Sequence, residues 1–315
     1  MFIAFSTAKI FTAEHALSVR YLLNLGKTYC LWRTTLRHII SKGGLMNHTF
    51  LNNEVKDRVV VVSSLNKALH DFPALAEQAG FKAARWHMIL LKPNVCGMYP
   101  PALALLRAII QYVTPYAKAL VIGETPSAMN DPTERFQSLG ITAMARAQGV
   151  VTRDLMDDPI IQKRVPKPHT LTRIPLPSTV MDADLLVNCP GVGTHGNTLL
   201  TCALKNCPGV GTHGNTLLTC ALKNLFGLIA ERHKFSRLHP KGVSEVVADL
   251  FQIVKPGLNV VDCGKKVLVG TDALSVDVVA CDFVSLSPLK VRHLVLAARD
   301  LGFELRDLRI RRIEL

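Results

Sequence analysis

From about residue 57 the chain alternates between short runs of β-branched residues and longer stretches whose apolar residues recur at helical spacing. Continuous or alternating apolar runs mark strands, a 3.6-residue period marks helices, and their succession marks βα units on a mostly parallel sheet. DRVVVVS predicts a strand, NKALHDFPALAEQAG a helix, WHMILLKPN a strand, PALALLRAIIQYV a helix opened by Pro101, and KALVIGE a strand. Asp131, Pro132 and Glu134 then make a helix start, with an acid at the cap, proline at the first helical position and glutamate at the third. The proline-rich PIIQKRVPKPHTLTRIPLPSTV predicts a connection with an edge strand inside it, and DADLLVN resumes a buried strand. Beyond it VSEVVADLFQIV predicts a helix, LNVVDC and KVLVG strands, and DALSVDVVACDFV and PLKVRHLVLAARDLG helices; after Gly302 the pattern fades. The fold class expected is α/β, a mostly parallel sheet of βα units flanked by helices.

One stretch breaks this rhythm. Residues 188–205 read NCPGVGTHGNTLLTCALK, and residues 206–223 repeat them letter for letter. Stacking repeat architectures need about three or more units to bury a continuous core, so two copies point to duplication of a segment that once occurred singly. Residue i matches residue i+18 from Asn188 to Asn206, so any eighteen-residue window starting in that range can be removed and the same sequence remains. Many equivalent threadings are therefore open to the chain, among them a hybrid with Gly193-Thr194-His195 docked from the preceding strand and Leu222-Lys223-Asn224 from the following helix, and occupancy is expected to be shared or biased rather than fixed. The copy containing His213 is favoured by its short link to Lys223 and Asn224.

Composition narrows the class. A chain of 315 residues can bury one large core or two, and 49% hydrophobic content excludes a disordered chain. Apolar runs such as VVVV (59–62) and MILL (88–91) are far shorter than the roughly 18 residues needed to cross a bilayer, so a soluble, cytoplasmic protein without a membrane partner is expected. A formal charge of +13 invites a nucleic-acid reading, yet the basic residues are scattered and no RNA-binding signature accompanies them. A small anionic molecule is the expected partner. The first 45 residues carry six Lys/Arg against one acid, which suits a transit-like extension or a start upstream of Met46; residues 46–315 are then expected to form a single domain. Four of eight cysteines (Cys189, Cys202, Cys207, Cys220) belong to the duplicated unit at C-x12-C-x4-C-x12-C, without the close pairs of zinc or iron–sulfur sites. They read as small buried hydrophobes.

Ligands of open α/β sheets bind beyond the carboxyl ends of the strands. Lys92, Asn94 and Glu124 stand at two such ends and are candidates for substrate binding. His213, Lys223 and Asn224 are the catalytic candidates, with His195, Lys205 and Asn206 as their equivalents in the other copy. The imidazole of His213, titrating nearest neutrality, is the acid–base candidate. Asp262 and Asp272, each following a strand, together with His213 could hold a divalent metal such as magnesium, manganese or zinc. Structural roles compete with each of these: Lys92 and Asn94 could tie down the turn before Gly97, and Asp272 could cap the helix after it.

The order LKPN (91–94), VIGE (121–124), DADLLVN (182–188), GTHG…T…LKNLFG (211–227), KFSRLH (234–239), NVVDC (259–263) and TDALSVDVVA (271–280) resembles the domain of unknown function 362 family over residues 57–303. The resemblance implies an α/β protein with a polar site built from those segments. Many members also carry ferredoxin-like cysteine clusters, but this chain has no C-x2-C-x2-C-x3-C run. Two further departures stand out. Only Cys263-Gly264-Lys265-Lys266 separates two strands where the family has a glycine-rich segment, and the single THG…LKN unit of the family occurs twice. The functional reading is an enzyme, or degraded enzyme, acting on a small anionic ligand, metal-assisted in one version. A redox or electron-transfer partner is the alternative, and a nucleic-acid binder the third.

Overall fold

The computed structural model describes residues 58–194 and 217–315. Strand β1 (Val59–Ser64) leads into α1 (Leu65–His70) and α2 (Phe72–Gln78), two helices where the apolar pattern predicts one. The break falls at Asp71, because Pro73 has no N–H with which to continue α1. Next come β2 (Trp86–Pro93), α3 (Leu103–Val113), β3 (Ala117–Glu124), α4 (Pro132–Ser138), α5 (Ile141–Arg146) and β4 (Val151–Asp154). The predicted start of α4 is present: the Asp131 carboxylate accepts from the N–H groups of Thr133 (2.9 Å) and Glu134 (3.1 Å). The proline-rich stretch holds two strands rather than one, β5 (Ile160–Arg164) and β6 (Arg173–Pro177), paired as a separate antiparallel hairpin.

The second half comprises α6 (Ser178–Asp182), β7 (Leu185–Cys189), β8 (Gly193–Thr194), β9 (Leu218–Thr219), α7 (Ala221–Leu225), α8 (Lys234–Leu238) and α9 (Val243–Ile253). It closes with β10 (Leu258–Asp262), β11 (Lys266–Gly270), α10 (Ala273–Ala280), α11 (Arg292–Asp300) and β12 (Arg311–Glu314). Eight strands form one sheet in the order β12-β1-β11-β10-β7-β2-β3-β4. Every neighbouring pair is parallel except those made by β11, which runs against both β1 and β10. The fold is thus α/β with a mostly parallel sheet. Strand β12 lies at the edge with Arg311, Arg312 and Glu314 exposed, which is why no apolar pattern announces it.

Alternation along the strands divides the core into two layers. Val61, Ile89, Leu91, Val187 and Val260 pack on the side covered by α1 to α5, while Val60, Val62, Leu90, Leu186 and Val261 pack against α7, α9, α10 and α11. Among the described residues no helix is long and apolar enough to cross a membrane.

The duplicated unit is threaded as a hybrid. Asn188–Thr194 of the first copy complete β7 and form β8, and Leu218–Thr219 of the second copy form β9, with Gly193 opposite Thr219 and Thr194 opposite Leu218. His195 and His213, and with them the expected preference for the His213 copy, lie outside the described residues. The chain between β8 and β9 is 23 residues long, and removal of one unit leaves five, a usual length for a hairpin connection. Closure entropy grows with the logarithm of that length, so deleting residues 195–212 is expected to raise unfolding free energy by about 1 kcal/mol. Urea denaturation checks this; an unfolded deletion variant would show that both copies are structural.

Candidate functional site

The sheet carries a polar row through its apolar interior. Registers place Lys92 of β2 beside Asn188 of β7, Asn188 beside Asn259 of β10, and Asn259 beside Gly270 of β11. Lys92, Asn188 and Asn259 each sit two residues from Leu90, Leu186 and Val261, on the same face, and all three are completely buried. Buried polar groups cost several kcal/mol unless hydrogen-bonded, so something must satisfy them.

Helix α7 lies across the row and supplies the partners. The Lys92 ammonium donates to Glu124 Oε2 (2.7 Å), Asn224 Oδ1 (2.9 Å) and the Pro93 carbonyl (3.1 Å). Asn224 Nδ2 donates to Asn188 Oδ1 (2.8 Å) and the Lys92 carbonyl (3.2 Å). Asn188 Nδ2 donates to the Ala221 carbonyl (2.9 Å) and Asn259 Oδ1 (3.0 Å), and Asn259 Nδ2 reaches the Gly270 carbonyl (3.4 Å). An ammonium has three donors, and all three of Lys92's are used inside the protein. Burial pushes the Glu124 carboxyl above its usual range even with Lys92 beside it. Its other oxygen accepts from Thr125 N (3.2 Å), and a second buried cation, Lys234, bonds to the Thr125 hydroxyl and, at 2.8 Å, to the Pro126 carbonyl.

Gly227 closes the network. A Cβ there would stand 2.3 Å from Glu124 Oε1 and 2.7 Å from Lys92 Nζ, so only glycine lets the segment after α7 pass this close to the ion pair. The start of α7 is capped by a side chain from α10: Asp277 accepts from the N–H groups of Ala221 (2.6 Å) and Leu222 (2.9 Å). Burial raises the Asp277 carboxyl to about 7, against those two donors and the Cys220 thiol, which favour its charged form. With Asp277 in place, the amino end of α7 is not open to a ligand.

What remains is Lys223. It sits between Leu222 and the buried Asn224 but is only half-buried, and among the described residues it has no carboxylate partner; its recorded contact is the Phe226 ring, 5.1 Å from the ammonium. Burial, then the charge of Lys92, lower its pKa to about 8. Nearby, His293 of α11 is completely buried with no hydrogen-bond partner on either ring nitrogen. Burial, helped by the charge of Lys223, draws its pKa down to about 3 and keeps it neutral. The Thr219 hydroxyl, just before α7, is likewise buried without a partner.

The sequence candidates fare unevenly. Lys92, Glu124 and Asn224 are brought together, but with each other as partners, so Lys92 and Glu124 present no free group to a substrate. Asn94 holds the turn around Gly97 by donating to the Tyr99 carbonyl (3.3 Å), where a Cβ on Gly97 would stand 2.1 Å from its Oδ1. The proposed metal pair is separated. Asp262 ends β10 opposite Val267 at the start of the antiparallel β11, and Asp272 lies two residues past the far end of β11, which puts the two at opposite ends of this strand pair. Each has other work: Asp262 accepts from Ala102 N (2.8 Å) and Gly264 N (2.8 Å), while Asp272 caps α10 through Leu274 N (3.3 Å) and Ser275 Oγ (2.5 Å) and pairs with Arg58. Among the described residues no group of three or more His, Cys, Asp and Glu converges on a metal position. His213, His195, Lys205 and Asn206 lie outside the described residues. Sequence reasoning missed Asn188, Asn259 and Gly227 as site builders; a polar residue at the edge of an otherwise apolar strand, as in LLVN and LNVV, was the available signal for the first two.

A mostly parallel α/β sheet with a buried polar row beneath a short helix defines the class. The chain matches the family model described as domain of unknown function (DUF362) over residues 89–212 and 206–282, and it belongs to that family. The two matched stretches overlap at the start of the second copy, which fits a tandem duplication. No curated protein matches the chain.

Truncating one member of a buried ion pair strands the other. Lys92→Met is therefore expected to cost about 3–5 kcal/mol, and the double variant Lys92→Met/Glu124→Leu to recover most of it. Urea denaturation of both variants measures this, and a fully stable Lys92→Met protein would contradict the pairing.

Proposed function

We propose that the protein binds a small anionic molecule at Lys223 and acts on it there. The observation that carries this reading is a half-buried lysine without a carboxylate partner among the described residues, mounted on a helix whose first two N–H groups and Asn224 side chain are already taken by the protein. The unused hydrogen-bonding capacity of His293 and Thr219 supports it, since buried polar atoms are rarely left without partners. The fixed row of Lys92, Asn188, Asn224 and Asn259 serves as the scaffold, holding α7 rather than touching the ligand.

An amine titrating at about 8 is charged enough at neutral pH to attract an anion and neutral enough to accept a proton. Lys223 is thus the proton-transfer candidate, with the histidine of the duplicated unit, His213 or His195, as its proposed acid–base partner. The opposite rims of Asp262 and Asp272 argue against the metal-assisted version.

Sulfate tests the site, because its own charge is constant between pH 6 and pH 10. Lys223 is protonated below about 8 and loses its charge as pH rises through that value. Sulfate affinity measured by calorimetry is therefore expected to fall about tenfold from pH 6.5 to pH 9.5, and to be weak and flat with pH in Lys223→Met. Equal binding by Lys223→Met would overturn the assignment.

A further inference from the structure

The other end of the same strands carries a second concavity. Trp86 begins β2 and Tyr116 immediately precedes β3, six or more residues from Lys92 and Glu124, so this rim lies about 20 Å from the polar row. A cavity of about 420 Å³ opens there, lined by Pro73, Glu77, Phe81, Lys82, Tyr112 and Tyr116 among others. Its size falls within the range of small-molecule sites.

The walls are aromatic and inclined to one another. Phe81 and Tyr112 stand at 61° with ring centroids 6.1 Å apart, and Tyr112 and Tyr116 at 68° and 5.9 Å. Trp86 braces the set from outside the cavity lining, stacked on Phe81 at 5.8 Å and edge-on to Tyr116 at 6.4 Å. The turn that delivers Phe81 depends on Gly80, whose φ of +80° lets the chain reverse after α2. Glu77, one helical turn before Phe81, brings a carboxylate to the same space, and among the described residues no cation pairs with it. Its charge reaches Tyr112, whose phenol is held above its usual pKa by burial first, then by Tyr116 and Glu77.

Phe81 and Tyr116, each inclined to Tyr112, and one carboxylate border a small-molecule-sized space, the elements of a cation-binding cage, since ring faces carry partial negative charge. We propose that this groove binds a small organic cation bearing a methylated or quaternary ammonium group. The positive group sits among Phe81, Tyr112 and Tyr116, Glu77 balances its charge, and Lys82 at the rim opposes it.

Choline and its neutral carbon isostere 3,3-dimethyl-1-butanol separate this from plain apolar binding. Titration of the full chain is followed by tryptophan fluorescence, to which Trp86 contributes through its stack on Phe81. Saturable choline binding is expected, at least about tenfold tighter than the isostere. Tyr116→Leu and Glu77→Gln, both at accessible positions, are each expected to weaken choline about fivefold or more, and Lys82→Ala to tighten it. Equal affinity for the isostere, absence of saturation up to about 50 mM choline, or choline binding unchanged in both Tyr116→Leu and Glu77→Gln would overturn the proposal.

Discussion

The structure depends on one constraint: three polar side chains, Lys92, Asn188 and Asn259, stand in register inside the sheet and must be hydrogen-bonded there. An apolar helix laid over them would leave several buried donors and acceptors unmet, at about 1–3 kcal/mol each. Only a segment offering Asn224 and the Ala221 carbonyl at the right places completes the set, so the row selects α7 and fixes its position. Gly227 follows from the same requirement, because the ion pair between Lys92 and Glu124 leaves no room for a side chain. Asp277 secures the other end of α7 from α10. The same clamp fixes the backbone of Lys223, which lies between Leu222 and Asn224.

This clamp also explains how the chain accommodates a duplicated unit. Asn188 opens the first copy and Asn224 directly follows the second, and these two side chains bond to each other at 2.8 Å. The described contacts of the segment with the rest of the fold lie near its two ends: Asn188, the Gly191 and Gly193 approaches to Tyr99, and Leu218 through Leu222. Extra length between β8 and β9 leaves those contacts intact and adds only a slowly growing closure cost.

Most strands and the α/β class could be read from apolar runs alone, because a buried parallel strand is a continuous run of Val, Ile and Leu. The site was harder. Lys92 and Glu124 were recognised at strand ends, but charge on a strand end does not say whether it faces ligand or protein. Lys92 faces protein because Glu124, Asn224 and Pro93 take all its donors. Chain direction separates the two carboxylates of the metal reading. Cys263-Gly264-Lys265 is too short for the crossover of a dozen or more residues that parallel neighbours need, so β10 and β11 had to be antiparallel and Asp272 had to leave the rim of Asp262. That signal was present in the sequence, in the same short connection that departs from the family's glycine-rich segment. Gly227 was beyond reach, since its partner Glu124 lies roughly 100 residues away in the chain.

The most direct test compares the same substitution in the two copies. Asn188→Ala and Asn206→Ala alter identical sequence neighbourhoods on their C-terminal sides, and among the described residues it is Asn188 that belongs to β7 and the polar row. Urea denaturation should show Asn188→Ala less stable by about 2–4 kcal/mol, because Asn224 and Asn259 lose buried partners, and Asn206→Ala within about 0.5 kcal/mol of the unaltered protein. Equal losses in the two variants, or the larger loss at Asn206, would contradict the account.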